Sequence, residues 1–263
     1  MHSPDLAIIV PARLASTRFP RKLLHPVRGL PLILHTARRV RSVAPELPLF
    51  FAVAEQELAD VLECAGFRCV ITDPDLPSGT DRLAEANASI GAKNVINVQA
   101  DEPLVAASHI AALAARISQG GFDMATLGTP FLSVEDFRDS NRVKVVRAKD
   151  GMALYFSRSP IPFSRDSRGA VDAAWLAAQP VLLHLGMYAY TAQFLAAFPK
   201  LSQGTLESIE RLEQLRAMEH GYRIAVDCTL ETTLGIDSPA DVPLLEARLD
   251  EEAKKYENEN KAE

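Results

Sequence analysis

The chain has 263 residues, 48% of them hydrophobic, and a formal net charge of -6. This length is enough for one large globular domain, or for about one and a half domains. The acidic balance argues against nucleic acid as the main partner, because a basic binding face would not survive the surrounding carboxylates.

The cysteine number and the lack of a long apolar run indicate in which cellular compartment the protein works. Cys64, Cys69 and Cys228 are odd in number and form no CxxC pair, which argues against a disulfide framework or a zinc site and favours a reducing cytosol. The sequence shows no signal peptide and no apolar run of about 18 residues. We therefore expect a cytoplasmic protein without membrane insertion.

Predicted strands and helices alternate through the first half of the chain. The predicted strands cover residues 6–10, 47–53, 68–71, 94–98 and 124–127. The predicted helices cover residues 30–43, 58–65, 80–90 and 110–117. Such alternation is typical of βαβ units and predicts a mostly parallel sheet with both faces covered.

The pattern changes after about residue 143. Strands are predicted at 143–147, 153–156 and 181–190, with a loop at 157–180. A helix is predicted at 207–219, a strand at 223–226, and a final helix at 239–249 with Ser238 as N-cap and Pro239 at its first position. We expect one α/β domain over residues 1–250, with a β-rich insert at 150–205. Residues 251–263 form a polar tail, either a frayed helix end or a disordered segment.

A basic loop follows the first predicted strand. It contains Arg13, Arg18, Arg21 and Lys22, and Ser16 adds a hydroxyl donor at the bend. The loop at the carboxyl end of the first strand is where α/β sheets hold phosphates, and several fixed cations suit a polyanion. The chain has neither a Gly-rich P-loop nor a GxGxxG motif, which excludes a Walker ATPase and a classical dinucleotide site. A solvated basic loop is the alternative.

Acidic residues follow two other apolar segments. The strand predicted at 94–98 leads to Asp101 and Glu102, and Asp237 follows a short apolar element near residue 236. Successive strand side chains point to opposite faces, so only one of Asp101 and Glu102 can face a site above the strand end. A carboxylate opposite a phosphate loop suits Mg²⁺, which takes one or two protein carboxylates and completes its shell with phosphate and water. Helix capping is the alternative for either position.

Eight motifs in one order extend over nearly the whole chain. They are PARLASTRFPRK (11–22), SGTDRLAE (78–85), VQADEP (98–103), VKVV (143–146), ALYFSRSPIPF (153–163), HLGMYAY (184–190), LESIERLEQLRAMEHGY (206–222) and GIDSPAD (235–241). Each motif alone is weakly specific. Together they resemble the 3-deoxy-manno-octulosonate (Kdo) cytidylyltransferases of lipopolysaccharide assembly.

The resemblance implies a Rossmann-like nucleotidyltransferase that is homodimeric through the insert and needs CTP and Mg²⁺. CMP would pass from CTP to the anomeric hydroxyl of Kdo, releasing pyrophosphate. The nucleotide-binding residues would be Pro11, Ala12, Arg13, Ser16, Arg18, Lys22, Ser78, Thr80 and Arg82. Asp101 and Asp237 would bind magnesium, and the catalytic residues would be Lys22, Arg18 and Asp101. The sugar pocket would be lined by Gln99, Arg158, His184, Tyr188, Glu213 and Gln214.

Three of the implied sugar residues also have local arguments. Arg158 has no acidic neighbour along the chain until Asp166, and its planar guanidinium suits bidentate binding of a sugar carboxylate. His184 and Tyr188 are four residues apart on a predicted strand, which places them on one face. Satisfied core residues are the alternative for this pair.

The chain departs from the family pattern at three places. Arg21 and Ala100 stand where the family usually has Gly, and Ala54-Glu55 stands where a Thr-Asp pair is common. A polar contact at the last position is lost or moved to Glu55. These departures bear on the sugar more than on the reaction class, so the alternatives are an 8-amino Kdo analogue, a sialic acid, or a catalytically silent nucleotide-binding relative.

Overall fold

The computed structural model describes residues 3–259. Its strands are β1 (Leu6–Ala12), β2 (Pro26–Val27), β3 (Leu30–Pro31), β4 (Leu49–Val53), β5 (Arg68–Ile71), β6 (Asn94–Asn97), β7 (Met124–Pro130), β8 (Lys144–Arg147), β9 (Ala153–Ser157), β10 (Leu182–Thr191) and β11 (Ile224–Cys228). Its α-helices are α1 (Leu32–Val43), α2 (Gln56–Cys64), α3 (Gly79–Ile90), α4 (Ala107–Gln119), α5 (Val134–Arg138), α6 (Ala173–Ala178), α7 (Ala192–Ala197), α8 (Thr205–Glu210), α9 (Gln214–Glu219) and α10 (Val242–Glu259). Short 3₁₀ helices cover Lys22–Leu24, Phe198–Lys200 and Pro239–Asp241.

A mixed, mostly parallel sheet forms the centre of the molecule. Its main order is β11-β7-β10-β6-β1-β4-β5, and β8 and β9 extend from β10. Strand β1 pairs in parallel with β4 and β6, with Ile8 opposite both Leu49 and Ile96. Strand β10 runs antiparallel between β6 and β7. The predicted α/β class and its mostly parallel sheet are confirmed.

Helices cover both faces of this sheet. Alternate residues of β1 enter different apolar clusters, with Ile8 and Val10 on one face and Ala7 and Ile9 on the other. Helices α1, α2 and α4 pack on the first face, and α3, α7 and α9 on the second. A strand buried on both faces must be apolar at every position, which explains the continuous run at the start of the chain.

The predicted helix at 207–219 is wrong as a single element, because the chain forms two short helices, α8 and α9. Arg211 ends α8 in a left-handed conformation, with φ of 54°. Arg158 donates from Nε to the carbonyl oxygen of Glu210 at 2.6 Å and from Nη2 to that of Arg211 at 3.4 Å. These contacts satisfy carbonyl groups that a continued helix would have used.

The segment 150–205 is only partly separate from the main sheet. Strand β10 lies between β6 and β7 and therefore belongs to the central sheet, whereas β9 pairs with β8 beside it. The predicted loop at 157–180 also contains α6, capped by Asp172, whose side chain accepts from the Trp175 N–H at 2.8 Å. A role of this segment in dimerisation stays a prediction.

The C-terminal helix is longer than predicted. Ser238 caps the 3₁₀ turn that precedes α10, and Pro239 is the first residue of that turn. The first nine residues of the predicted polar tail, 251–259, continue α10, and residues 260–263 lie outside the described residues. Among residues 3–259, no helix has the length and apolar character needed to cross a membrane.

Candidate functional site

An open cleft of about 270 Å³ lies at the carboxyl ends of β1 and β6. The loop after β1, the first turn of α3 and the turn after β6 form its walls. The lining residues are Pro11, Ala12, Arg13, Ala15, Ser16, Lys22, Leu23, Ser78, Gly79, Arg82, Gln99, Ala100 and Asp101. The structure thus brings together all predicted nucleotide-binding residues except Arg18 and Thr80, together with Gln99 and Asp101.

The basic loop is fixed by contacts outside its own sequence. The Leu14 N–H donates to both oxygens of the Glu55 carboxylate, at 3.0 and 3.1 Å, so a polar contact does fall to Glu55. Arg21 adopts a left-handed conformation, with φ of 55°, which favours the glycine usual at this position. Its Nη2 lies 2.5 Å from the Glu57 carboxylate, so this additional cation is paired at the rim of the loop.

Lys22 and Asp101 line one end of the cleft, which we call the charged end, and Asp237 approaches Lys22 there from outside the lining. The Nζ atom of Lys22 contacts the Asp101 carboxylate and lies 3.8 Å from Oδ1 of Asp237. Lys22 is 9% exposed. Arg18 is exposed and lies outside the cleft lining, but its Nη2 lies 2.8 Å from Oδ1 of Asp237. The four residues therefore form one connected ionic group.

Hydrogen bonds to backbone groups hold the turn that bears Asp101 beside the turn that bears Asp237. The Ile236 N–H donates to the carbonyl oxygen of Asp101 at 3.0 Å. The Asp241 carboxylate accepts from the N–H groups of Asp237 and Ser238 at 2.9 and 2.7 Å. Burial opposes ionisation of Asp241, but these hydrogen bonds and nearby Lys22 outweigh it and hold its pKa below the ordinary value.

Glu102 lies outside the cleft lining, so only one of the two adjacent carboxylates faces the cleft, although both belong to the turn after β6 and not to the strand. Asp101 lines the cleft, whereas Oε2 of Glu102 is buried without a hydrogen-bond partner in the described part of the chain. Burial, followed by the charge of Asp101, raises the pKa of Glu102 to about 8. Of the two, Asp101 is therefore the residue able to bind a cation in the cleft.

The donor set at the charged end fits Mg²⁺ that arrives with a phosphate ligand. Asp101 and Asp237 offer hard oxygen atoms around one cationic group, the Lys22 ammonium. Within residues 3–259 no cluster of three or more His, Cys, Asp or Glu side chains is arranged to hold a metal. Mg²⁺ needs few protein ligands because it keeps water and phosphate oxygens in its shell.

Arg82 and the first turn of α3 form the opposite wall of the cleft. Arg82 is 2% exposed, and its Nη1 donates to the Thr72 hydroxyl and to the Asp73 carbonyl oxygen. Its Nη2 is buried with no partner among the described residues, and burial lowers the pKa of Arg82. Ser78 caps α3 by accepting from the Asp81 N–H at 3.2 Å. A buried free donor beside a helix N-terminus suits an anionic or carbonyl-bearing ligand.

Three of the six predicted sugar residues, Tyr188, Glu213 and Gln214, line a second, smaller cavity. Its lining comprises Thr80, Met124, Tyr188, Tyr190, Phe194, Phe198, Glu213 and Gln214. Thr80, which we predicted to bind nucleotide, lies here because it follows Gly79 on α3, and successive side chains of a helix point in different directions. Its hydroxyl donates to the Glu213 carboxylate. Burial raises the pKa of Glu213. Thr80 therefore lies outside the cleft lining, and its role in nucleotide binding stays a prediction.

His184 and Tyr188 share one face of β10, as expected. Their ring centroids are 5.3 Å apart. A register shift between Leu185 and Tyr188 places two extra residues in β10, and an even number preserves the alternation of faces. His184 Nε2 lies 3.0 Å from the Thr126 hydroxyl, and burial lowers the His184 pKa to about 3. The imidazole is therefore neutral at physiological pH.

Gln99 connects the cleft to this strand. It lines the cleft, and its Nε2 donates to the Gly186 carbonyl oxygen at 3.3 Å, within the irregular part of β10. The side chain is therefore shared between the cleft and the strand that bears His184 and Tyr188.

Arg158 lies outside the lining of both cavities. Besides the carbonyl groups that end α8, its Nη1 donates to the Ser140 carbonyl oxygen at 3.0 Å. Its backbone N–H donates to the Glu210 carboxylate at 2.9 Å, so an acidic partner exists that is distant in sequence. The guanidinium thus contacts three backbone carbonyls, and the prediction that it is free to clamp a carboxylate is not supported by these contacts.

Several supporting residues were missed by the sequence analysis. Buried Thr36 on α1 donates to the Ala100 carbonyl oxygen at 2.8 Å, beneath the turn that presents Asp101. Glu207 and Arg216 form a two-point ion pair at 2.6 and 2.8 Å that joins α8 to α9. Neither contact has a local sequence signal. The spacing of Ser238 and Asp241, by contrast, is a readable capping pattern.

Comparison with known proteins gives consistent matches. A family model described as Cytidylyltransferase matches residues 7–224. The 8-amino-3,8-dideoxy-manno-octulosonate cytidylyltransferase of Shewanella sp. (strain W3-18-1) is 39% identical over 250 residues, covering 93% of this chain and 98% of that protein. The enzyme of the same name from Shewanella woodyi (strain ATCC 51908 / MS32) is 37% identical with the same coverage.

Solved structures extend the comparison to the fold. The structure of CMP:2-keto-3-deoxy-manno-octonic acid synthetase complexed with CTP aligns with a TM-score of 0.85 and 32% identity, covering 94% of this chain and 99% of that one. A putative glucose-1-phosphate thymidylyltransferase from Bacillus anthracis aligns with a TM-score of 0.61 and 13% identity, covering 92% and 94% of the two chains. The second likeness concerns the fold alone.

Proposed function

Because this chain belongs to the cytidylyltransferase family and is therefore a nucleotidyltransferase, we propose that it transfers CMP from CTP to the anomeric hydroxyl of Kdo. Pyrophosphate leaves, and the product serves lipopolysaccharide assembly. The observation that carries the proposal is the meeting of Lys22, Asp101 and Asp237 at one end of a cleft formed by a basic loop.

The cleft accounts for binding of a triphosphate. Arg13, Ser16 and Lys22 line one wall, and the first turn of α3 lies opposite. Cationic side chains and the positive end of a helix both favour negative charge. In-line displacement at the α-phosphorus needs little covalent help from the protein, so positioning and fixed charge do most of the catalysis.

Asp101 and Asp237 are the residues that would hold Mg²⁺. When bound, the ion neutralises phosphate charge and polarises the reacting oxygens. In the protein itself, the Lys22 ammonium lies between the two carboxylates and offsets their repulsion. Lys22 can then stabilise the negative charge that develops on the departing pyrophosphate.

Polar groups in and beside the second cavity favour an acceptor rich in hydroxyl groups, for which the cavity must open, because it has room for only about 10 Å³, close to one water molecule. The Nε2 atom of Gln214 and Oδ1 of Asn97 are buried without hydrogen-bond partners among residues 3–259, and such groups are costly unless a ligand pairs them. Neutral His184 and the Tyr188 hydroxyl add groups able to pair with sugar hydroxyls. Gln99 contacts both this strand and the cleft, which suits a residue between nucleotide and sugar.

An 8-amino Kdo analogue is the second candidate acceptor. The observation that favours it is the name of the curated relatives at 37–39% identity, which act on an 8-amino-3,8-dideoxy sugar. The two acceptors differ at one substituent, a hydroxyl or an ammonium group. Their discrimination depends on the charge near the far end of the sugar.

We further propose a homodimer formed through residues 150–205 and a cytoplasmic location. Leu154 and Phe163 in this segment are 61% and 72% exposed. Contact of these two side chains with a second copy of the chain would remove apolar surface from water. Sedimentation of the purified chain tests the dimer, and a Leu154→Glu variant that stays dimeric would contradict this interface.

The test of the activity is pyrophosphate release. Each of the four ribonucleoside triphosphates is combined with Kdo, 8-amino Kdo or a sialic acid, with and without Mg²⁺. We expect release with CTP and Kdo only when Mg²⁺ is present. Preference for 8-amino Kdo would replace the acceptor, whereas no release in any combination would contradict the reaction.

A further inference from the structure

A small apolar cluster lies beside the charged end of the cleft, apart from the two large clusters that flank the sheet. Its buried members, which we call the C-terminal cluster, are Phe19, Val27, Leu32, Ile236 and Leu245. Leu245 on α10 and Ile236 are fully buried, and Phe19 is 6% exposed. The cluster therefore joins α10 to two loops that bear charged residues of the site.

Each of these loops has a charged residue directly next to its buried residue. Phe19 follows Arg18, Ile236 precedes Asp237, and the two charged residues pair at 2.8 Å. The Ile236 N–H also donates to the carbonyl oxygen of Asp101. Because one peptide bond separates each buried residue from its charged neighbour, a shift of the buried residue displaces the charged group as well.

Helix α10 is attached to the rest of the molecule mainly through apolar contacts. Arg28 pairs with Asp250 and donates to the Glu246 carbonyl oxygen at 2.9 Å. Arg39 lies 3.3 Å from the Glu252 carboxylate. Half-exposed ion pairs of this kind contribute little. Leu245, the fully buried residue of α10 in one cluster with Phe19 and Ile236, is therefore the main apolar contact between α10 and the charged end.

We propose that Leu245 is a positioning residue for nucleotide binding: through the C-terminal cluster it holds Arg18 and Asp237 where they meet the triphosphate and its divalent cation. This inference rests on the proposed cytidylyl transfer and adds to it a helix that contributes no group to the reaction. Charged groups displaced by about 1 Å can lower a rate roughly 100-fold, so a small repacking at Leu245 has a large effect at the cleft.

The test compares Leu245→Ala with a matched truncation, Leu113→Ala. Leu113 on α4 is equally buried but belongs to the large cluster under the sheet. Binding of CTP in the presence of MgCl₂ is measured by isothermal titration calorimetry on the full chain. We expect the Kd to rise at least about fivefold in Leu245→Ala and less than about twofold in Leu113→Ala. Leu245→Val keeps most of the packing and gives an intermediate value should the alanine variant fail to fold.

Hydrogen exchange supplies a readout that needs no ligand. We expect residues 14–24 and 234–241 to exchange faster in Leu245→Ala than in Leu113→Ala at equal global stability. Equal Kd values and equal exchange in the two variants would overturn the positioning role. If the wild-type chain binds no CTP, the proposed function itself is wrong, whereas unequal exchange would still report the coupling between α10 and the charged end.

Discussion

The proposed nucleotide cleft and the proposed sugar cavity are built differently. The cleft is open, its charged groups come from three short stretches that follow strands or begin a helix, and its residues are readable as motifs. The cavity is small and aromatic, and it joins α3, β10 and the turn between α8 and α9. Charge therefore dominates the first region, whereas packing and paired polar groups dominate the second.

The largest expected effect is at Asp101. Asp101→Asn keeps the shape of the side chain but removes the charge that a hard divalent cation requires, so we expect turnover to be abolished with the fold intact. Steady-state rates at saturating CTP and sub-millimolar Mg²⁺, with circular dichroism for the fold, check this. Glu57→Gln at the loop rim is the matched control. Wild-type rates in Asp101→Asn would remove the metal assignment.

The next largest effect is expected at Lys22, because its charge matters most as pyrophosphate departs. We expect Lys22→Ala to lower kcat by about 100-fold or more, as the loss of electrostatic stabilisers does. Arg21→Ala, which removes a cation paired outside the cleft lining, should retain nearly full activity. A rise in the KM for CTP with kcat unchanged would mean that Lys22 contributes uniform binding only.

In the proposed sugar region, we expect His184 to make the free energy of unfolding depend on pH. The folded-state pKa of His184 is lowered to about 3, so below the unfolded value of about 6.5 the unfolded chain binds a proton that the folded chain does not. Its contribution to stability is full above about pH 6.5 and is lost as the pH falls. We expect wild type to lose about 2 kcal/mol relative to His184→Gln between pH 6.5 and 5. Urea unfolding at both pH values measures this, and parallel pH dependence of the two proteins would contradict a buried neutral imidazole.

A substitution at Thr80 tests where the boundary between the two regions lies. Thr80→Val removes the hydroxyl that pairs with Glu213 while keeping the shape, and an unpaired buried carboxyl group costs about 1–3 kcal/mol. We expect the KM for the sugar to rise about tenfold and the KM for CTP to stay within about twofold. Ser78→Ala, which removes the N-cap of α3 at the cleft and a second hydroxyl beside Glu213, should affect CTP more. The opposite pattern would return Thr80 to the nucleotide site.

Sequence patterns predicted one region better than the other. The basic loop and Asp101 follow apolar strands, and the carboxyl end of a strand fixes where its next residues lie, so their meeting could be predicted. Arg158 shows the limit of this reasoning. Its acidic neighbour Glu210 lies 52 residues away in sequence, and only the break at Arg211 presents the carbonyl groups that its guanidinium contacts.

By itself, the sequence determined the α/β class, the alternation of β1, β4, β5, β6 and β7 with helices, the cationic character of the first loop and the position of Asp101 after β6. Hydrophobic periodicity and chain connectivity are local properties, and they suffice for these features. Only the tertiary structure decided that β10 enters the middle of the sheet, that Thr80 contacts Glu213, and that α10 packs against the loops of Arg18 and Asp237. These features depend on pairings between segments far apart in the chain, whose energies come from burial and hydrogen bonding that no local pattern records.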